Sequence, residues 1–384
     1  MKRLQLSRRP VHAAKLALAM ACSWPLFALS APPVAPQVQP AAADIVLRLR
    51  VTPQGAQEQV ELVHARTGRF AHQPALPTAQ DSDLILVARF QPNGQPDSTF
   101  GLHGVRQLQY SAAGKTRCRA VSVLPGGKIL LGGWCHEYWL NNGAVLVRLQ
   151  PDGASDPTFG NSGIIGMSFV HCDYQLSTSA MVVQGDGRIV LATNGQNNDP
   201  KGVSGIFRFL PDGTVDSSFA VNGEWLQAVG SGNSALCAVF LTTDGKILAG
   251  GTAKERDDYD FMLLRLYAHG DYDPLFGNNG RVFTNFGWGR DWIHSLHRGP
   301  GGSVLATGNA FNSNLMSAGS SCVLTKLLAN GTPDLDFGYA GTLLFPAGET
   351  EAVTVQPDGK ILVGTDNYAG TTGYPLQVFR FQIG

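Results

Sequence analysis

One frame recurs five times along the chain at a nearly constant interval. Its copies read PNGQPDSTFGLHG, PDGASDPTFGNSG, PDGTVDSSFAVNG, AHGDYDPLFGNNG and ANGTPDLDFGYAG, and their phenylalanines are Phe100, Phe159, Phe219, Phe276 and Phe337, spaced by 59, 60, 57 and 61 residues. Self-similarity at such a period constrains the fold more than any local motif, because repeats of this length form solenoids or propellers. Taken alone, the stretch from Pro151 to Gly163 has the acid and glycine content of a calcium loop. An EF-hand loop needs acids at alternate positions and a closing glutamate, and no copy has them. The frame is therefore read as a turn, and no metal site is assigned.

Each copy follows an apolar run ending in a basic residue: LILVARF, AVLVRLQ, SGIFRFL, FMLLRLY and CVLTKLL. Such runs bounded by Pro, Asp, Asn and Gly read as strands, and the Pro-Asp-Gly core supplies the turn dihedrals. The basic residues Arg89, Arg148, Arg208, Arg265 and Lys326 each stand eight positions before an acid, Asp97, Asp156, Asp216, Asp273 and Asp334. Folding about the turn sets each pair opposite on neighbouring strands. Five repetitions at one offset mark these as structural ion pairs. A second hairpin follows each copy, with turn glycines Gly127, Gly187, Gly245, Gly302 and Gly359. Every repeat thus carries four strands without helical periodicity, the make-up of a β-propeller blade.

The two halves, an apolar strand with R-L-x-P-D-G-x-x-D-x-x-F-G-x-x-G and then A-V-x-x-Q-P-D-G-K-I-L-V-G-G, resemble the delta-60 repeat β-propellers of bacterial surface and secreted proteins. The resemblance covers about Val60 to Gln382. Ala220 departs from it, as do AHG and ANG where Pro-Asp-Gly is expected. It implies a fold and no shared activity. The expected fold is all-β: a six-bladed β-propeller of four-stranded blades. Gly68, 59 residues before Gly127, extends the ladder backwards, and Arg380 in YPLQVFRFQ extends the basic series forwards. The last blade then lacks an outer strand, and DIVLRLRV, Asp44 to Val51, is expected to supply it and close the ring.

Residues 1–30 read as a signal peptide, with the basic MKRLQLSRRPVHAAK followed by the apolar LALAMACSWPLFALS. SRRPVHAAK partly resembles a twin-arginine signal. Residues 31–43 form a Pro/Ala-rich linker, and 44–384 a single propeller domain. The expected location is periplasmic or secreted, in a bacterium. The first thirty residues hold five of the 29 basic residues and no acid, so the remainder carries 24 basic against 29 acidic, a net of −5. A chain without a basic stripe argues against nucleic acid as a partner, and no transmembrane segment is expected. AAGKT, Ala112 to Thr116, lacks the first glycine of a phosphate loop, since position 109 is Gln109. His294 and His297 sit three apart in an expected strand and face opposite sides, a poor metal pair. No catalytic residue and no cofactor is assigned.

Both tight hairpins of a blade turn at one end, so the long connections gather at the other. There lie GWCHEYWLNNG, VHCDYQLS, AKERDDYD, FGWGRDW and DNYAGTTGY, with four of the five tryptophans that follow residue 30. Loops on a rigid scaffold are where function concentrates, and exposed aromatics mixed with charge act as anchors. The candidate ligand-binding residues are Trp134, Tyr138, Trp139, Asp173, Tyr174, Trp288, Arg290 and Trp292. The competing reading wedges these rings between blades. The expected role is a monomeric, non-catalytic binding or scaffold module holding a protein or glycan at the cell envelope. The alternative is a propeller hydrolase or lyase, which two carboxylates converging at the channel mouth would favour. Hairpin counting also sets Cys118 opposite Cys135, a possible disulfide in an oxidising compartment; Cys135 with Cys172 is the rival pairing.

Overall fold

The computed structural model describes residues 43–51, 58–65, 84–91, 95–108, 115–137, 140–167, 175–196, 203–255, 258–286, 289–312, 321–346, 350–356, 358–365 and 377–381. These residues are all-β and propeller-like, and their only helical segments are two 3-10 turns, Pro125–Gly127 and Pro300–Gly302. No helix among them is long and apolar enough to cross a membrane.

Strands are laid down in consecutive antiparallel groups, each in chain order. The first is β1 (Ala43–Val51), β2 (Glu58–Ala65), β3 (Leu84–Phe90) and β4 (Val105–Leu108). The second is β5 (Lys115–Val123), β6 (Ile129–Glu137), β7 (Leu140–Leu149) and β8 (Ile164–Met167). The third is β9 (Gln175–Val183), β10 (Ile189–Gln196), β11 (Val203–Phe209) and β12 (Glu224–Gln227). The fourth is β13 (Ser234–Leu241), β14 (Ile247–Glu255), β15 (Asp258–Leu266) and β16 (Arg281–Thr284). A fifth holds β17 (Gly289–Arg298), β18 (Val304–Asn312), β19 (Ser321–Leu327) and β20 (Thr342–Pro346), and joins the fourth through one parallel pair, Tyr259 with Arg290. The last has three strands, β21 (Thr350–Val355), β22 (Ile361–Thr365) and β23 (Gln377–Phe381). The chain divides into two compact units: one runs to Thr178 and takes in Pro211–Thr214, the other holds Ser179–Leu210 and Val215 onward.

All five expected ion pairs form. Arg89, Arg148, Arg208 and Arg265 each donate through Nε to Asp97, Asp156, Asp216 and Asp273 at 2.8, 2.6, 2.8 and 2.7 Å, and Lys326 Nζ reaches Asp334 at 2.7 Å. In three groups the cation of the second hairpin converges on the same carboxylate: Lys128 on Asp156 at 2.9 Å, Arg188 on Asp216 at 2.9 Å and Lys246 on Asp273 at 3.1 Å. Burial alone would push the Asp156 carboxyl up, but hydrogen bonds from Lys128, Thr158 and Arg148 outweigh it and hold it well below the usual range.

The arginine also does something the hairpin reading does not contain. Its Nη1 donates to a carbonyl one repeat further on: Arg89 to Pro151, Arg148 to Pro211, Arg208 to Ala268 and Arg265 to Ala329. Its guanidinium lies over the repeat phenylalanine, 4.5 Å from the Phe159 ring centre in the second group. The residue after that phenylalanine donates its N–H to the same distant turn, as Gly101 does to Asp152 at 2.7 Å and Gly277 to Asn330 at 2.8 Å. Gly101, with φ +55°, cannot be replaced freely: an added Cβ would lie 2.3 Å from the Val105 carbonyl oxygen. The motif therefore staples one repeat to the next.

Two expectations are corrected. Asp44 to Val51 belongs to the first sheet: β1 pairs with β2, Leu47 opposite Leu62, and no β1–β23 pairing is present among the described residues. The six residues between these strands carry Pro53 and Gly55, so VTPQG resembles VQPDG between the first two strands of the last sheet. The fixed-interval count chose Gly68 because the connection from β2 to β3 spans residues 66–83, against two residues between β6 and β7; Gly68 itself lies outside the described residues. The second correction concerns the Cys118–Cys135 bridge. A bulge between Cys118 and Ala120 shifts the register, so Cys118 faces Gly133 while Cys135 faces Thr116. Cys118 is a buried free thiol bonded to the carbonyls of Ala120 and Gly132 at 3.3 Å each, and burial pushes it up to about 12.

Candidate functional site

Of the eight candidate ligand-binding residues, Tyr138, Trp139, Asp173, Tyr174 and Trp288 lie outside the described residues. Trp134 stands on β6 opposite Ala144 of β7. Arg290 and Trp292 open β17, and here the structure brings side chains together.

The single parallel bridge between β15 and β17 sets Arg290 beside Tyr259, with its guanidinium carbon 5.6 Å from the ring centre. Strand alternation then turns Arg290 and Trp292 to one side and Asp291 to the other. Arg290 is exposed and the Trp292 side chain is 40% exposed, a large exposure for an indole held on a regular strand. Asp291, between them, is 1% exposed. Nearby Asp260, on β15, is 5% exposed.

The two aspartates hold the connection that leads into β17. Asp291 Oδ2 accepts the Phe286 N–H at 2.9 Å, and Asp260 Oδ1 accepts Asn285 Nδ2 at 2.7 Å. Thr252 Oγ1 donates to the Asp291 carbonyl at 2.9 Å, and Phe286 meets Phe261 edge to face at 4.9 Å. Asp291 Oδ1 is buried without a hydrogen-bond partner. Burial, reinforced by the charges of Asp260 and Asp258 and opposed by the Phe286 N–H, pushes the Asp291 carboxyl up to about 7. A buried carboxyl raised in this way beside a second carboxylate is one that acid–base chemistry can use. Both side chains sit beneath the surface, so the side chains this stretch presents to solvent are Arg290 and Trp292, with Tyr259 partly exposed beside them.

Within AKERDDYD and FGWGRDW, the expected residues Arg290 and Trp292 are exposed. Asp260 and Asp291 are not among the expected residues; their signal in the sequence is the alternation in GRDW, where two outward side chains leave Asp291 inward. His294 and His297 lie on β17 as expected, with a bulge between Ile293 and Ser295. Burial lowers His294 to about 4, and His297 Nε2 lies 3.4 Å from Thr354 Oγ1. Away from this region, a cleft of about 380 Å³ runs along β12, walled by Trp225, Gln227, Gly270 and Tyr272. Trp225 and Tyr272 meet edge to face at 5.8 Å, and Trp225 is 4% exposed, so it is a packed ring rather than an anchor.

Two stretches, residues 124–159 and 184–219, match a family model described as "Domain of unknown function (DUF5122) beta-propeller". No curated protein matches the chain. Among solved structures it is similar to a subtype N10 neuraminidase-like protein of A/little yellow-shouldered bat/Guatemala/060/2010, at 12% identity over 89% of this chain and 96% of that one, with a TM-score of 0.47. It is also similar to a glucose dehydrogenase, at 11% identity over 81% and 95% of the two chains with a TM-score of 0.44. A third is the endo-arabinase from Bacteroides thetaiotaomicron VPI-5482, at 11% identity over 69% and 93% with a TM-score of 0.40. Both matched stretches run from the second hairpin of a sheet to its repeat phenylalanine, and they support a propeller repeat family for this all-β chain.

Proposed function

We propose that the protein is an exported binding module that grips a glycan or a protein segment through the end of the sheets where Tyr259, Arg290 and Trp292 meet. One observation carries the reading: Trp292 is 40% exposed on a regular strand beside an arginine that lies on a tyrosine ring. An indole fixed in this way loses little freedom on binding and offers a flat apolar face with a cation at its rim. In the same proposal the six sheets are six blades, residues 1–30 are a leader, 31–43 a linker, and the protein acts outside the cytoplasm as a monomer. Intrinsic fluorescence titrated with the glycans that bind on an array, and pull-down from envelope extract, test it. Trp292→Ala should weaken the captured ligand at least tenfold, and unchanged affinity would remove the reading.

A second reading has its own observation. Asp291, neutral up to about pH 7 beside Asp260, is what a hydrolase or lyase acid would look like. Turnover of a captured glycan that Asp291→Asn abolishes and Trp292→Ala only weakens would favour catalysis. Binding that survives Asp291→Asn without turnover would favour the module.

A further inference from the structure

The third and fourth copies of the repeat frame depart from its pattern around one feature, the cleft along β12. Ala220 stands where the other copies have Gly101, Gly160, Gly277 and Gly338. Tyr272 takes a place held elsewhere by Pro96, Ser155, Val215 and Pro333, and Asp271 is the one acid at its position in the five copies. Gln227 ends an outer strand where the others have Leu108, Met167, Thr284 and Phe345. Ala220, Gln227, Asp271 and Tyr272 all line the cleft, together with Glu224.

The alanine gives the cleft its shape. Ala220 holds φ +44°, in the left-handed region where the other copies place glycine. At those glycines an added Cβ would crowd the carbonyl oxygen four residues on, 2.4 Å away at Gly160 and 2.2 Å at Gly338. Ala220 carries that Cβ, so its loop cannot close in the same way. The bond from the Val221 N–H to the Glu224 carbonyl is accordingly 3.1 Å long, against 2.8 Å for the equivalent bond in each of the other copies. Gly270 packs on the Ala220 methyl, and a Cβ there would lie 2.7 Å from it. A strained residue kept where glycine would be relaxed marks a place with a task.

The walls define the chemistry. Tyr272 Oη donates to Gln227 Oε1 at 3.2 Å, which orients the Gln227 amide to donate and the hydroxyl oxygen to accept. Glu224 and Asp271 contribute carboxylate acceptors. The Arg281 guanidinium lies 5.1 Å from the Tyr272 ring centre, and His269 Nε2 lies 3.0 Å from Asp271 Oδ2. Two acids thus face an arginine and a histidine, a balance that favours an uncharged ligand over an ion of either sign. β12 is also an edge strand. Glu224 spends both its N–H and its carbonyl on Val221, so alternation leaves within β12 only the Leu226 pair on the open side. One residue's pair is too little for a peptide ladder and enough for a hydroxyl. At about 380 Å³ the cleft lies at the small end of ligand pockets.

We propose that this cleft binds an uncharged saccharide unit of one or two rings. Glu224, Asp271 and Tyr272 Oη accept from its hydroxyls, and the Gln227 amide donates to them. The site shares no residue with Tyr259, Arg290 and Trp292 and does not rest on the reading given to them.

The probes are maltose, cellobiose and lactose, titrated against the full chain by calorimetry and saturation-transfer NMR, with glucosamine and glucuronate for comparison. At least one of the neutral disaccharides should bind saturably and more tightly than either charged sugar. Gln227→Leu and Asp271→Ala should each weaken it about tenfold or more, without moving urea unfolding, because both side chains are exposed. Ala220→Gly lets the loop close, so it should weaken binding while the protein unfolds at the same or a higher urea concentration. Absence of binding by all three disaccharides at about 10 mM, or binding indifferent to Gln227→Leu and Asp271→Ala, would overturn the proposal. Tighter binding of glucosamine or glucuronate would also overturn it. So would binding that Trp292→Ala abolishes and Gln227→Leu spares, because the sugar would then sit at the other surface.

Discussion

Replacing Asp156 with asparagine removes a negative charge from the point where two cations converge. The buried carboxylate accepts from Lys128 Nζ at 2.9 Å, Arg148 Nε at 2.6 Å, Gln150 Nε2 at 2.9 Å, Thr158 N at 3.1 Å and Thr158 Oγ1 at 2.8 Å. An asparagine keeps the Thr158 bonds through its carbonyl oxygen, but its amide turns a donor toward two donors. Removing one partner of a buried pair costs about 3–5 kcal/mol. The Lys128 side chain is 33% exposed and can swing into water, whereas that of Arg148, at 9%, cannot. The expected loss is therefore near the lower bound, about 3 kcal/mol. Asp152, in the turn of the same motif, is exposed, and its carboxylate accepts the Ala154 N–H at 2.9 Å, so Asp152→Asn should cost under about 1 kcal/mol. Urea unfolding of both variants, with equal slopes, gives the comparison. Losses within about 0.5 kcal/mol of each other would refute the reasoning, because a surface position would then equal a buried one. A cycle adding Arg148→Met should show coupling of at least about 1.5 kcal/mol.

Three more outcomes follow from particular contacts. Gly160 has φ +50° and an added Cβ would sit 2.4 Å from the Ile164 carbonyl oxygen, whereas Gly126, at φ +79°, has open space; Gly160→Ala should lose at least about 2 kcal/mol in urea unfolding and Gly126→Ala about 1. Asp291 is raised from 3.8 to about 7 in the fold, so its contribution is full below pH 4 and is lost as pH rises through 7, a change of up to about 4 kcal/mol. Unfolding curves at pH 5 and pH 8 should show that decline, and Asp291→Asn should flatten it. The Cys118 thiol, buried and pushed up to about 12, should resist a thiol reagent in the native protein and react at once in urea, as mass spectrometry of the labelled peptide would show.

What the sequence made legible is what it says five times. The Arg–Asp offset, the two hairpins and the strand order could be read because each copy corrects the others, and local turn chemistry agrees with the period. What it says once was misread or invisible. The turn is centred on Gly126, with Val123 facing Ile129, and the bulge at Arg119 adds a second shift; neither leaves a mark in the spacing, so counting outward from between Gly126 and Gly127 placed Cys118 two residues from its register partner. VTPQG carries a turn's residues between β1 and β2, yet the eighteen-residue interval from β2 to β3 made the interval argument outweigh it. The carbonyl staple from Arg148 to Pro211 was out of reach, since nothing in one repeat names a contact with the next.

The candidate site follows the same division for a physical reason. Residues that recur, such as Arg148, Asp156 and Phe159, are consumed in holding a repeat together and in fastening it to its successor. They have no spare valence for a ligand. Chemistry is left to positions where the copies diverge, and Tyr259, Asp260, Arg290, Asp291 and Trp292 have no counterparts in the repeat frame. Their burial then sorts them into two tasks. A carboxyl such as Asp291, neutral and 1% exposed, tolerates burial because it has shed its charge, and in that state it can brace the Phe286 N–H. Arg290 and Trp292, carried outward by the same strand, inherit a rigid base at little entropic cost. Asp291→Asn and Trp292→Ala should therefore separate: the first changes how stability depends on pH, the second changes ligand affinity, and a variant at either position that changed both would show that brace and surface are one site.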